Sequence, residues 1–300
     1  MQIATSNFTS GHISHALDHF NRAIAAYGSG NSLVDIATQL DRGLNKLQNE
    51  WLFSQPDKSL GEVAQFKGLI SSGVEGERRN EFLASSELGS FVFLEPMVLN
   101  QKYLNDHGYI PGTDLSPSLQ KGATDVHRRL RSAYRDGDAR ADKVITLAAE
   151  LLYIVRSNIA HGEKTAFGAD TDKSARDESV CRATIPVQLL LIDILLHSPS
   201  TRLVVYGSLA PGQNNHAILA PLKGIWQDCG IRGSLTQREE LWAFTWNPSG
   251  EEVQAKLFES AELKGYWERI DRFEGARYRR QFVLAKTSTA VCVANAYVAS

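Results

Sequence analysis

Cysteine is scarce. Cys181, Cys229 and Cys292 are the three among 300 residues, widely spaced and without a CxxC pair. That count supplies no disulfide framework, argues against a zinc site and suits a reducing cytoplasm. Long apolar runs are also missing: no stretch approaches the about 18 consecutive apolar residues of a membrane-spanning helix. The opening MQIATSNFTSGHISHALDHF has neither a basic start nor an unbroken apolar segment, so it does not read as a secretion signal. Nor does charge of one sign dominate. Lys and Arg number 32 against 34 Asp and Glu, for a formal net charge of −2. Bulk attraction to nucleic acid is thereby excluded, and only a local patch would serve that purpose. The expectation is a cytoplasmic protein with no membrane partner and no zinc site.

What remains is an ordinary globular composition, 43% hydrophobic and 22% charged, over a length that favours two domains. The two ends of the chain differ in period. Leu33, Ile36, Ala37, Leu40, Leu44, Leu47 and Trp51 recur at helix spacing, and Asn31 or Ser32 is placed to cap that helix. Val144, Leu147, Leu151, Ile154, Val155 and Ile159 repeat the pattern, with Gly162 as a stop. Ile185 to Leu196 is more uniformly apolar and predicts a buried helix. GYIPGTDLSPS and the polar AFGADTDKSARDES predict connections. From HSPSTRLVVYGSL onward the pattern changes to short β-branched or aromatic runs bounded by turn residues: Leu203 to Tyr206, ELWAFTW, RQFVLAK and AVCVANAYVA. AELKGYWERIDRF has helix spacing among them. These patterns predict an all-α domain over residues 1–198 and an α+β domain over 201–300, a small barrel or curled sheet around one helix, joined near Ser198 to Thr201.

Two constellations carry chemistry. In the first, Tyr206, Gly207, Ser208 and Leu209 stand where a predicted strand ends. Gly207 would let the chain turn and expose consecutive amides able to hold an anion, and the Asn214 and Asn215 side chains would fix the loop. Downstream, Ile270, Phe273, Leu263 and Trp267 have core spacing, and Glu274 falls at the end of the same helix, before Gly275. A carboxylate there is disfavoured by the helix dipole and, if partly buried, acquires a pKa suited to proton transfer. The competing reading is a solvated Glu274 paired with Arg277, Arg279 or Arg280. Taken together, YGSLAPGQNNHAIL, IRGSL and ERIDRFEGARYRRQFV resemble the gamma-glutamylcyclotransferase superfamily, over roughly Arg202 to Val298. The resemblance implies a small mixed barrel without metal or cofactor. It makes Glu274 the catalytic carboxylate, and Tyr206 to Leu209, with Tyr278, the walls that hold a small gamma-glutamyl substrate. The reaction it implies is cyclisation to 5-oxoproline with release of an amine or amino acid.

The second constellation is LLYIVRSNIAHGEKT, in which Arg156 and His161 are five apart, about 140° around a helix. They meet only if the helix ends early and His161 folds back. The motif resembles that of the HEPN superfamily of helical domains, with Ser157 directly after the arginine and Asn158 one place later. That resemblance implies metal-independent RNA cleavage at a homodimer interface, with histidine moving protons and arginine holding phosphate. HRRLRSAYRDGDARADK, with Arg128, Arg129, Arg131 and Arg135, would follow an RNA backbone or, as the commoner alternative, form a solvated helix face diluted by Asp136, Asp138 and Asp142. Three functions stay open at this point: a gamma-glutamyl cyclising enzyme, a ribonuclease, and an interaction module in which neither site is active.

Overall fold

The computed structural model describes residues 11–110, 113–160, 171–238 and 241–300. Its helices are α1 (Gly11–Gly28), α2 (Leu33–Phe53), α3 (Glu62–Gly73), α4 (Glu77–Leu83), α5 (Ser86–Val92), α6 (Gln101–Asp106), α7 (Pro117–Ala123), α8 (Asp125–Arg135), α9 (Ala141–Ala160), α10 (Thr171–Leu195) and α11 (Trp267–Glu274). The strands are β1 (Arg202–Val205), β2 (Ile225–Arg238), β3 (Leu241–Trp246), β4 (Glu251–Glu259), β5 (Tyr278–Lys286) and β6 (Val291–Ala299).

The described residues divide into a helical unit, within 26–194, and an α+β unit that combines residues 11–25 with 195–300. The helical periodicity is realised. Ser32 caps α2 by accepting from the Val34 amide, and Ile36, Ala37, Leu40, Leu44, Leu47 and Trp51 are all buried along one face. Helix α9 carries the second repeat and α10 the third. The latter starts at Thr171, so the stretch from there to Ser179, expected as part of a connection, is helical; Gly162 lies outside the described residues.

Two features of the division differ from the expected 1–198 and 201–300. It falls between Ile194 and Leu195, and α1 up to Ala25 belongs with the C-terminal residues. The physical reason is visible in α1. Ile13, Ala16, Leu17, Phe20 and Ala23 are buried at helix spacing, and Asn21 makes a two-way amide pair with β5. Its Nδ2 donates to the Phe282 carbonyl at 2.9 Å, and the Phe282 amide donates to its Oδ1 at 2.6 Å. A single side chain thus satisfies a strand-edge N–H and C=O as a neighbouring strand would.

In the C-terminal unit the strand order is β3-β2-β4-β1-β6-β5, and an additional β2–β5 pairing closes five of the strands into a barrel. Strand β1 runs antiparallel to β4 and parallel to β6, with Leu203 opposite Asn295. The long β2 has two partners in succession. Ile225 to Gly233 pair with β4, and Gly233 to Arg238 pair with β3 as a hairpin beyond the barrel wall. Gly233 is where the two pairings overlap; a Cβ there would lie 2.2 Å from the Thr245 carbonyl oxygen, so only glycine permits so close a crossing. Alternation along β1 sorts two cores. Val204 points into the barrel with Ile231, Leu257, Val283 and Ala296, while Leu203 and Val205 pack against Leu263, Trp267 and Ile270. The strand is buried on both faces, and its end is therefore held from both sides where the functional loop begins.

Candidate active site

Helix α11 is seated by its apolar face and by three polar contacts. Ile270 is fully buried and Trp267 nearly so. The Trp267 indole N–H donates to the Ser200 carbonyl at 2.8 Å. Asp271 accepts from the Tyr297 hydroxyl and faces Arg280 at 3.4 Å, and the Arg280 guanidinium lies 4.5 Å from the Trp267 ring centroid. One turn beyond this anchor comes Glu274, and Gly275 ends the helix with φ 62° and ψ −161°, a conformation that glycine adopts without a Cβ clash. The helix end is therefore fixed, and it aims Glu274 at the end of β1.

Between them is a cavity of about 570 Å³, lined by Tyr206, Gly207, Ser208 and Leu209 on one side and by Glu274, Gly275 and Tyr278 on the other. The loop is a tight turn: the Ala210 amide donates to the Gly207 carbonyl and the Asn215 amide to the Ser208 carbonyl, each at 3.0 Å. The amides of Gly207, Ser208 and Leu209 have no acceptor among the described residues, so three consecutive donors remain for a ligand. The Asn215 backbone holds the loop, together with the His216 ring at 3.1 Å from the Leu209 carbonyl. Contrary to expectation, the side chains of Asn214 and Asn215 make no such bond among the described residues. Gly207 also differs from its expected part. Its φ is not in the left-handed region, and a Cβ would meet nothing within 4 Å, so its smallness keeps space open and is not required by the turn.

Glu274 makes no ion pair or hydrogen bond among the described residues. Its three basic neighbours in sequence leave it alone: Arg280 faces Asp271, Arg279 lies beside the Gln281 amide, and Arg277 lines the cavity with no carboxylate partner among the described residues. The nearby phenols are occupied elsewhere. Tyr206 donates to the Tyr297 carbonyl, Tyr278 to the Trp242 carbonyl at 3.0 Å, and Tyr297 to Asp271. Burial without compensation pushes the Glu274 carboxyl up from 4.5 to about 7. The hydroxyls of Tyr206, Tyr278 and Tyr297 are also raised, by burial first and by the Glu274 charge in part. They stay protonated, whereas the Glu274 carboxyl is poised to exchange a proton near neutrality.

Residues that spacing alone did not single out complete the cavity. Trp242 and Phe273 are exposed by 45% and 42% and line it as an aromatic rim. Phe273 had been expected in the core. Its position directly before Glu274 is the signal that it shares the site instead.

The second constellation behaves differently. Arg156 is held inside the helical unit, with Nε 3.2 Å from Asp41 and Nη1 donating to Gln48 at 3.0 Å. Asn158 donates to the Leu99 carbonyl at 2.8 Å and accepts from the Gln101 amide at 3.4 Å. Both side chains are spent on internal structure, and His161 lies outside the described residues. The arginines of α8 are likewise engaged: Arg128 and Arg129 with Asp125, Arg131 with Glu95, and Arg135 over the Phe93 ring. Among the described residues no group of three or more His, Cys, Asp or Glu is placed to hold a metal ion, and no helix is long and apolar enough to cross a membrane.

Comparison with known families agrees with the C-terminal resemblance. Residues 203–300 match the family model described as gamma-glutamyl cyclotransferase, AIG2-like. No curated protein sequence matches the chain. Among solved structures, YkqA from Bacillus subtilis is similar at 26% identity over 33% of this chain and 36% of its own, with a TM-score of 0.29. The uncharacterized protein PH0828 from Pyrococcus horikoshii is similar at 25% identity over 33% of this chain and 77% of its own, with a TM-score of 0.27. The chain thus spans about a third of the length of YkqA.

Proposed function

From the AIG2-like gamma-glutamyl cyclotransferase match of residues 203–300, we propose that the C-terminal unit cyclises a gamma-glutamyl group to 5-oxoproline and releases the attached amine or amino acid. The observation that carries this reading is one juxtaposition. An unpaired, largely buried Glu274 carboxylate shares a cavity with three unpartnered amides at Gly207, Ser208 and Leu209.

In this mechanism the amides hold the glutamyl group, and the enclosed loop keeps the chain folded so that its α-nitrogen lies over its own γ-carbonyl. Glu274, ionised, takes a proton from the α-ammonium. The freed nitrogen attacks the γ-carbon, the new C–N bond closes the lactam, and the old bond to the leaving nitrogen breaks. Two protons move in all from the α-nitrogen to the leaving nitrogen, with Glu274 as their carrier, and no water is consumed. Because nucleophile and electrophile belong to one molecule, positioning supplies much of the rate, and a single acid/base suffices. The Trp242 and Phe273 rim and Arg277 are available to the departing part.

The test is to incubate the purified chain with gamma-glutamyl amino acids, gamma-glutamyl amines and glutathione, and to quantify 5-oxoproline together with the released amine. Equimolar appearance of the two from at least one substrate is the expected result. Release of glutamate in place of 5-oxoproline would mean hydrolysis and defeat the proposal.

A further inference from the structure

The helical unit contains a second cleft, with a volume of about 500 Å³, whose lining combines the apolar Met97 and Leu115 with Lys121, Arg128 and Arg176. Its charges are not balanced. Arg176 donates to the Met97 carbonyl at 2.8 Å but forms no salt bridge among the described residues. Burial pushes its guanidinium below the usual range, outweighing the opposing influence of Asp177. Arg128 is tied to Asp125 at 3.0 Å and to the Lys121 carbonyl at 2.9 Å, yet its Nε is buried without an acceptor. Lys121 has no carboxylate partner among the described residues. Glu95, the acid in the lining, is already paired with Arg131 at 2.6 Å. Among the described residues the lining thus holds three cations, Lys121, Arg128 and Arg176, against one carboxylate, Glu95, which Arg131 already engages. Arg176 is thus partly buried with a neutral carbonyl as its hydrogen-bond partner and no ion pair among the described residues, which is costly to maintain. An oxyanion in the cleft would add counter-charge beside these guanidinium groups.

We propose that this cleft binds a small organic oxyanion, a phosphate or carboxylate group on an apolar body, with Arg176 and Arg128 as its donors and Lys121 adding charge. The apolar walls take the body, and the planar guanidinium groups fit two oxygens at once. The site is independent of the Glu274 cavity and of the reaction proposed there.

Phenyl phosphate, phenylacetate, inorganic phosphate and sodium chloride at matched ionic strength serve as probes, by titration calorimetry on the full chain. Saturable binding of phenyl phosphate or phenylacetate is expected, tighter than inorganic phosphate and absent for chloride; whichever organic probe binds more tightly identifies the anion. Arg176→Met is expected to weaken it about tenfold or more, as loss of a charge-assisted contact does. If that variant does not fold, Lys121→Met, which alters an exposed side chain, is expected to weaken binding several-fold. No binding beyond chloride, or binding unchanged in the folded variant, would overturn the proposal.

Discussion

Replacing Glu274 by Gln is expected to stabilise the C-terminal unit at alkaline pH while removing its proposed activity. The carboxylate has no hydrogen-bond or ion-pair partner among the described residues. Its pKa is near 4.5 when solvated and about 7 in the fold. Below the lower value the group is neutral in both states, and the fold bears no penalty. As pH rises from there to about 7, the unfolded chain releases its proton first, so the native state holds more protons and stability falls. Above that window the penalty is constant. At about 1.4 kcal/mol per tenfold change in proton affinity it has an upper limit of roughly 3 kcal/mol, and partial solvent access trims this to about 2 kcal/mol. Gln has the same shape without the charge, so the two proteins should differ little at pH 4.5 and by about that amount at pH 8.5. Urea unfolding followed by tryptophan fluorescence suits the measurement, because Trp226, Trp242, Trp246 and Trp267 belong to the C-terminal unit and only Trp51 to the other. Equal stabilities at the alkaline pH, or a less stable Gln variant, would refute the claim that Glu274 is buried without compensation.

Three further outcomes follow from the same geometry. The rate of 5-oxoproline release at low substrate should rise with pH along a limb centred near pH 7, since the ionised Glu274 accepts the proton; a limb near 4.5 would mean a solvated group. Asn21→Ala should destabilise the C-terminal unit by about 2–3 kcal/mol, because it strands the N–H and C=O of Phe282; tryptophan-monitored unfolding reads this directly. Arg156→Ala should destabilise the helical unit by about 3–5 kcal/mol above neutral pH. Asp41, already pushed up to about 7 by burial despite Arg156, loses its counter-charge there, and the deficit should shrink towards pH 5.5. Circular dichroism of thermal unfolding distinguishes this structural part from a catalytic one.

Much of the architecture is legible in the sequence because period follows burial. The α2 face from Leu33 to Trp51 and the change to short β-branched runs at Leu203 needed no tertiary information. Strand β2 was not singled out, because Gly230 and Gly233 interrupt its β-branched pattern; Gly233 is where its pairing passes from β4 to β3. Strand β4 was hidden by exposed Glu, Gln and Lys on its outer face. The place of α1 could not follow from local pattern at all. Its spacing of Ile13, Leu17 and Phe20 announces a helix, but the pairing of Asn21 with Phe282 spans 261 residues. At the site, the order of the Tyr206 loop and Glu274 was readable. The lack of a partner for that carboxylate among the described residues was not, because it depends on Arg280 turning to Asp271 and Tyr278 reaching Trp242. The R-x4-H spacing pointed to chemistry where Arg156 has a packed internal partner, since a short motif carries no information about what faces it.

The most direct test of the account is the amount of 5-oxoproline formed from a gamma-glutamyl substrate by the wild-type chain and by Glu274→Gln, side by side at pH 8. A rate lower by about 10²–10⁴ in the variant, with its fold intact, is the predicted result. Equal rates in the two proteins would contradict the assignment of Glu274 as the proton carrier.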